Sequence, residues 1–196
     1  MLKRSLKVTN IVSNGKFDNT TGWEATGSTI SALSNTLVVT GDGSDVNARG
    51  SQNTGINFIA SRKYYFLAKV RVTNANAVGV AVALRSGGIL GATPGVVTLN
   101  NPTANQWYTF SGIANNIAEV GAIYFQVRHF YADIATANGK VMEIKEALAA
   151  EITTILSPDV LALSDANLKT WCDNNFPYWF EGTLNGGTFG GIGGLK

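Results

Sequence analysis

The sequence is poor in reactive groups. It holds one cysteine and one histidine in 196 residues. A single cysteine excludes an internal disulfide, so Cys172 staples nothing within the chain. Nucleophilic catalysis needs a base within hydrogen-bond reach, and His129 lies far in sequence from Cys172, so no triad-like signature is present. Charged residues make up only 14%, against the roughly 25% of an average globular chain. The formal net charge of +2 is too small to argue for nucleic acid or an anionic membrane as partner. No stretch approaches the ~18 consecutive apolar residues of a membrane span. The opening "MLKRSLKVTN" has positive charge but no apolar h-region, so no secretory signal is expected.

What the chain does have is glycine, 22 of them, together with many Ser, Thr, Asn, Val and Ile. That mixture points to strands joined by frequent turns. In "YYFLAKVRV", Tyr64, Phe66, Ala68, Val70 and Val72 fall on one face and Tyr65, Lys69 and Arg71 on the other. "GVAVALRS" sets Val80, Val82 and Leu84 against Ala81, Ala83 and Arg85. "GAIYFQVRHF" sets Ile123, Phe125 and Val127 against Tyr124, Gln126 and Arg128. Ser34-Asn35, between "STISAL" and "TLVVTG", reads as a hairpin turn. "GKVMEIKEALAAEITTI" suits a strand to Glu146, beyond which helical propensity competes. Strands every 8–12 residues or so with turns between them predict an antiparallel β-sandwich or jelly roll over residues 1–156.

After Leu156 the pattern changes. Ser157-Pro158 reads as an N-cap with proline at the first helical position. Ser164 can cap a further helix on which Leu168, Trp171 and Cys172 share one face, ending before Pro177. Residues 157–181 are thus a short helical and aromatic extension. Trp171, Phe176, Tyr178, Trp179 and Phe180 form an apolar group that needs cover, on the sandwich or on another subunit. The Gly-rich tail of residues 182–196 has too little side chain to order by itself. Its Leu184, Phe189, Ile192 and Leu195 suggest an arm that orders on a neighbouring subunit.

Several phrases, in order, carry a resemblance. "NIVSNGKFDNTTGW", "SRKYYFLAKVRV", "NQWYTFSGIA" and "AIYFQV" resemble successive strands of the jelly-roll carbohydrate-binding modules appended to xylanases. "TWCDNNFPYWFEGT" resembles a segment that follows such modules in tail and other structural proteins of phages infecting Gram-positive bacteria. The resemblance implies a virion protein, made in the host cytoplasm, displaying a non-enzymatic module that binds host cell-surface carbohydrate. Its other partners would be virion subunits, including copies of itself, with a trimer as one form; neither nucleic acid nor membrane is expected. It also implies that Trp23 and Trp107 are packing residues. Such modules often end in an Ile-Asp-Asp-like strand that helps bind structural calcium, where this chain has Ile144-Lys145-Glu146. No cofactor is therefore expected, that calcium being the one ion left open.

A sugar site needs flat aromatic surfaces and planar polar groups. Tyr124, Gln126, Arg128, Arg85 and Arg71 are the candidates, and the plain alternative is that they line solvated sheet faces. "GDGSD", residues 41–45, reads better as a turn than as a calcium loop. Two other functions stay open: a capsid or tail decoration protein that binds no sugar, and a glycan hydrolase, whose paired carboxylates a sequence does not reveal.

Overall fold

The structure is a computed structural model that describes residues 7–87, 94–115, 121–176 and 182–185. In chain order its strands are β1 (Lys7–Thr9), β2 (Trp23–Thr26), β3 (Ser28–Ala32), β4 (Leu37–Gly41), β5 (Asn47–Asn57), β6 (Tyr64–Val72), β7 (Gly79–Ser86), β8 (Gly95–Asn100), β9 (Tyr108–Ala114), β10 (Ala122–Phe130), β11 (Val141–Glu151) and β12 (Thr183–Asn185). The helices are α1 (Ile134–Ala137), α2 (Pro158–Leu161) and α3 (Asp165–Asn175).

Two antiparallel five-stranded sheets form the sandwich, in the orders β2-β5-β10-β7-β8 and β3-β4-β11-β6-β9. The pairs β7 with β8, β6 with β9, β5 with β10 and β4 with β11 nest inside one another in sequence. This is a long hairpin wrapped over two layers, the jelly-roll topology. Consecutive strands β6 and β7 consequently lie in different sheets.

Period-2 alternation decides what lies between the layers. Val39, Val70 and Met142 from one sheet meet Val82, Phe125 and Val127 from the other, all essentially without solvent exposure. Trp23 closes one end of this core against Phe17, with ring centroids 5.1 Å apart, and Phe125, at 6.1 Å. The Ser34-Asn35 turn is a two-residue hairpin with φ of 50° and 58°. Both central residues are left-handed, as the twist of the flanking strands demands.

β11 continues as strand through Glu151 by inserting a bulge between Lys145 and Leu148, where Glu146 takes a φ of 56°. The backbone groups freed there are met by the chain's start. The buried Asn10 side chain donates to the Ala147 carbonyl and accepts from the Ala149 N–H, while Ile11 N–H donates to the Ala149 carbonyl. The bulge thereby ties the N-terminal segment to the sandwich.

A second apolar cluster lies outside the sandwich. Tyr65, Leu67, Leu148 and Ala150 face outward from β6 and β11 and would form an exposed patch. The C-terminal segment covers them with Ile155, Leu156, Val160, Leu168, Cys172 and Phe176. Ser164 caps α3 by accepting from the Asn167 N–H, and proline stands at the start of α2. Phe176 stacks on Tyr65 with centroids 5.6 Å apart and planes 25° apart, and Trp171 meets Phe176 edge-on. The Tyr65 hydroxyl donates to Asp173 at 3.0 Å. The tail expectation needs one correction. Residues 183–185 pair antiparallel with this chain's own β1, Thr183 opposite Thr9 and Asn185 opposite Lys7. The remainder of the tail, with Phe189, Ile192 and Leu195, lies outside the described residues, as do Tyr178, Trp179 and Phe180.

His129 sits on the inward face of β10, fully buried, with Nδ1 3.1 Å from the Tyr131 hydroxyl. Burial pushes its imidazole down to about 4. Between the ordinary value near 6.5 and this lower one, the unfolded chain binds the proton that the folded chain refuses. Stability is therefore complete above about pH 6.5 and falls as pH drops, by up to ~3 kcal/mol. Urea titrations at pH 7 and pH 5 should show this slope in the native sequence and a flatter one in His129→Gln. An unchanged slope in the variant would assign the acid sensitivity to carboxylates instead. For the outer cluster, Leu168→Ala should cost about 2–4 kcal/mol. A loss below about 0.5 kcal/mol, typical of surface changes, would mean α3 adds nothing to folding.

Candidate functional site

The face of the β2-β5-β10-β7-β8 sheet turned away from the core carries the candidate site. The inward side chains of β10 are Ile123, Phe125, Val127 and His129, so Tyr124, Gln126, Arg128 and Phe130 project outward. Register extends each of them into a row. Arg128 stands between Arg49 of β5 and Ala81 of β7. Gln126 stands between Ser51 and Ala83, and Tyr124 between Asn53 and Arg85. At the far end Phe130 stands between Asn47 and Gly79. Tyr124 and Phe130 are six residues apart, about 20 Å along the strand. That span suits several sugar units in line.

β7 and the residue after it, Gly87, offer low positions beside these taller side chains. A Cβ on Gly79 would come within 2.3 Å of the Phe130 ring, and one on Gly87 within 2.5 Å of the Tyr124 ring. Each ring therefore rests where a larger residue would hold it off the sheet. Between them Ala81 and Ala83 keep the floor small. The face thus presents two half-buried aromatic rings with guanidinium groups between, chemistry suited to C–H faces and hydroxyls respectively, while Gln126 is buried among them at 5% exposure.

The polar groups are loosely tied to one another. Arg85 donates to Gln126 Oε1 at 3.4 Å, and Asn53 donates to the Tyr124 hydroxyl at 3.4 Å. The Arg128 guanidinium lies 6.0 Å from the Phe130 ring centroid. Burial, then the positive charges of Arg85 and Arg49, lower the pKa of Arg128 from its ordinary value. Arg49 has a carboxylate partner, Asp45, at 3.7 Å. Arg85 and Arg128 form no ion pair with the described residues.

Tyr124, Gln126, Arg128 and Arg85 are therefore brought together, and Arg71 is not. Arg71 belongs to β6, in the other sheet, and projects from the opposite side of the sandwich. It pairs there with Glu143 and lies 4.9 Å from the ring centroid of Trp107, as does the Lys145 ammonium. Trp107 also departs from expectation. It precedes β9 in register with the outward residues Thr109 and Ser111, and is half-buried under two cations rather than sealed in the core. Arg49, Asn53 and Phe130 join the face without having been singled out in sequence. Phe130 shares the parity of Tyr124, which was the available signal.

Other chemistry is less well supplied. Burial, with the Asp173 carboxylate adding, pushes the Cys172 thiol up to about 12, so it behaves as a small core group. Asp42 accepts from the Ser44 N–H and Asp45 from the Asn47 N–H, which makes "GDGSD" a capped turn. Among the described residues no cluster of three or more His, Cys, Asp or Glu gathers as a metal site would require. A cleft of about 310 Å³ lies between α3 and the second sheet, lined by Leu67, Lys69, Ser111, Glu146, Lys169 and Asp173. Its charges are spent on each other: Lys69 with Glu146 at 2.7 Å and Lys169 with Asp173 at 2.6 Å.

No family model matches the chain. No curated protein matches it in sequence. Solved structures do share its fold. An arabinose-bound α-L-arabinofuranosidase, MgGH51, is similar over 73% of this chain and 26% of that enzyme, with a TM-score of 0.56 and 14% identity. A family 4 carbohydrate-binding module is similar over 68% of this chain and 97% of its own, with a TM-score of 0.53 and 10% identity. A family 16 carbohydrate-binding module is similar over 71% and 99%, with a TM-score of 0.50 and 13% identity. The chain thus spans about a quarter of the enzyme and nearly all of each module. At these identities the likeness is one of fold: a jelly-roll β-sandwich like that of carbohydrate-binding modules.

The glycine-seated rings yield a direct test. Gly87→Ala should displace the Tyr124 ring, because its Cβ would otherwise sit 2.5 Å from that ring, while the backbone there is not left-handed. Shifted Tyr124 ring resonances with a stability change within about 1 kcal/mol are expected. A cooperative loss of fold would mean that Tyr124 is wedged into the structure and not free on its surface.

Proposed function

We propose that this chain is a glycan-binding module whose ligand lies along the outer face of the β2-β5-β10-β7-β8 sheet. The observation that carries the reading is the row on β10. Tyr124, Gln126, Arg128 and Phe130 occupy four successive outward positions, with rings at both ends and planar polar groups between. Aromatic surface supplies contact area at little entropic cost, and the guanidinium groups read hydroxyl orientation, with the buried Gln126 amide accepting from Arg85. The fold shared with carbohydrate-binding modules supports the same reading.

Binding fits this face better than hydrolysis. Glycoside hydrolysis uses two carboxyl groups flanking the scissile bond. Among the described strand residues that face outward on this sheet, Glu24 is the one carboxylate. It stands on the edge strand β2, beside Ser51.

The wider role follows from the closing phrase of the sequence. Its resemblance to segments of phage structural proteins supports a virion component that attaches to host surface glycans through many copies. Contacts that are weak singly gain orders of magnitude when linked. Homo-oligomerisation through the residues after α3, in a particle assembled in the host cytoplasm, is part of that proposal.

A glycan array probed with the monomer and with an artificially multimerised form tests the reading. Tyr124→Ala and Arg128→Ala should each weaken binding by about tenfold, the effect of ~1.4 kcal/mol, with melting temperatures nearly unchanged. Arg71→Ala should bind as the native chain does. Binding abolished by Arg71→Ala alone would move the site to the other sheet. Absence of binding even by the multimer would favour a decoration protein, and release of reducing ends would favour a hydrolase.

A further inference from the structure

The charge on the outer face is one-sided. Arg49 and Arg128 are direct cross-strand partners on β5 and β10, and Arg85 stands four residues along in register, opposite Tyr124. Like charges directly opposite one another destabilise a sheet, and Cβ atoms in such pairs are only about 4.5–5.5 Å apart. Elsewhere five cations have carboxylate partners. Arg62 meets Glu151, Lys63 meets Asp165, Lys69 meets Glu146, Arg71 meets Glu143 and Lys169 meets Asp173. On this face Asp45 serves Arg49 alone, and Glu24, on the edge strand, is not within ion-pair distance of an arginine. Among the described residues no carboxylate pairs with Arg85 or Arg128, which are half-buried and next to the two rings. Burial and mutual repulsion both act on Arg128 in the direction of losing its charge, a strain that an anion between the guanidinium groups would relieve.

We propose that the ligand is an acidic glycan, a polysaccharide bearing carboxylates, held by Arg128 and Arg85 through their guanidinium forks while Tyr124 and Phe130 cover sugar faces on either side. This rests on the glycan-binding reading above and narrows it to one substrate class. The guanidinium fork matches a carboxylate bidentately, which an ammonium does not. Two rings flanking the arginines at either end of a strand-length row favour a sugar chain over a bare polyanion, since the rings would otherwise cover nothing.

The test is biolayer interferometry of the purified full-length chain over immobilised polygalacturonate, its fully methyl-esterified form, neutral xylan and inorganic polyphosphate. Binding to polygalacturonate at least about tenfold tighter than to the ester is expected, weakening as salt is raised. Arg85→Gln with Arg128→Gln should erase that preference, and Arg128→Lys should restore only part of it. Equal or better binding to the ester or to xylan overturns the acidic-glycan assignment while leaving the glycan-binding reading intact. Polyphosphate binding as tight as polygalacturonate overturns it too, marking simple ion exchange. No binding to any of these polymers, with a neutral-glycan array also blank, brings down both.

Discussion

Every outward residue of β10 is placed by an inward one. Ile123, Phe125, Val127 and His129 seal the sandwich, and the pleat of the strand then leaves Tyr124, Gln126, Arg128 and Phe130 no direction but outward. A one-residue slip in register would bury the arginine and expose the core. The neighbours β5 and β7 hold β10 on both sides, in unbroken register from Tyr124 to Phe130, so the face is built on strands at the centre of a sheet rather than on loops. Core and candidate site are two sides of one constraint.

The two outer faces of the sandwich have been put to different uses. The second sheet shows apolar residues, Tyr65, Leu67 and Leu148, to the outside and buries them under α2, α3 and Phe176. Lys69 pairs there with Glu146 and Arg71 with Glu143, while Lys145 lies over the Trp107 ring. Among the described residues the first sheet shows no comparable apolar patch and leaves Arg85 and Arg128 without an ion pair. A surface already covered and neutralised has little left to offer a ligand, whereas an open one with spare hydrogen-bond donors does. The aromatic helix at the C-terminus therefore works mainly as cover, with Cys172 one of its packing groups.

Much of this could be read from the sequence, within definite bounds. Alternation gave the inside and outside of β6, β7 and β10, and Ser157-Pro158 and Ser164 gave the starts of α2 and α3. Alternation cannot say which sheet a strand joins. β6 and β7 are neighbours in sequence yet lie in opposite layers, so Arg71 and Arg85 point to opposite sides of the molecule. Arg49 and Asn53 were invisible because the inward positions of β5 are Ala48, Gly50 and Gln52, which make no apolar alternation. Trp107 was expected to pack because the resembled modules have packing residues at that position. Its two covering cations, Arg71 and Lys145, come from β6 and β11, and only the folded sheet brings them together.

The most direct measurement is residue-resolved mapping of ligand contact in solution. Amide and side-chain NMR shifts would be followed while an oligogalacturonide is titrated into the isotope-labelled chain. Perturbations should gather on Arg49, Arg85, Tyr124, Gln126, Arg128 and Phe130 and leave Lys69, Arg71 and Trp107 still. Shifts confined to the second sheet, or spread evenly over the surface, would contradict the account.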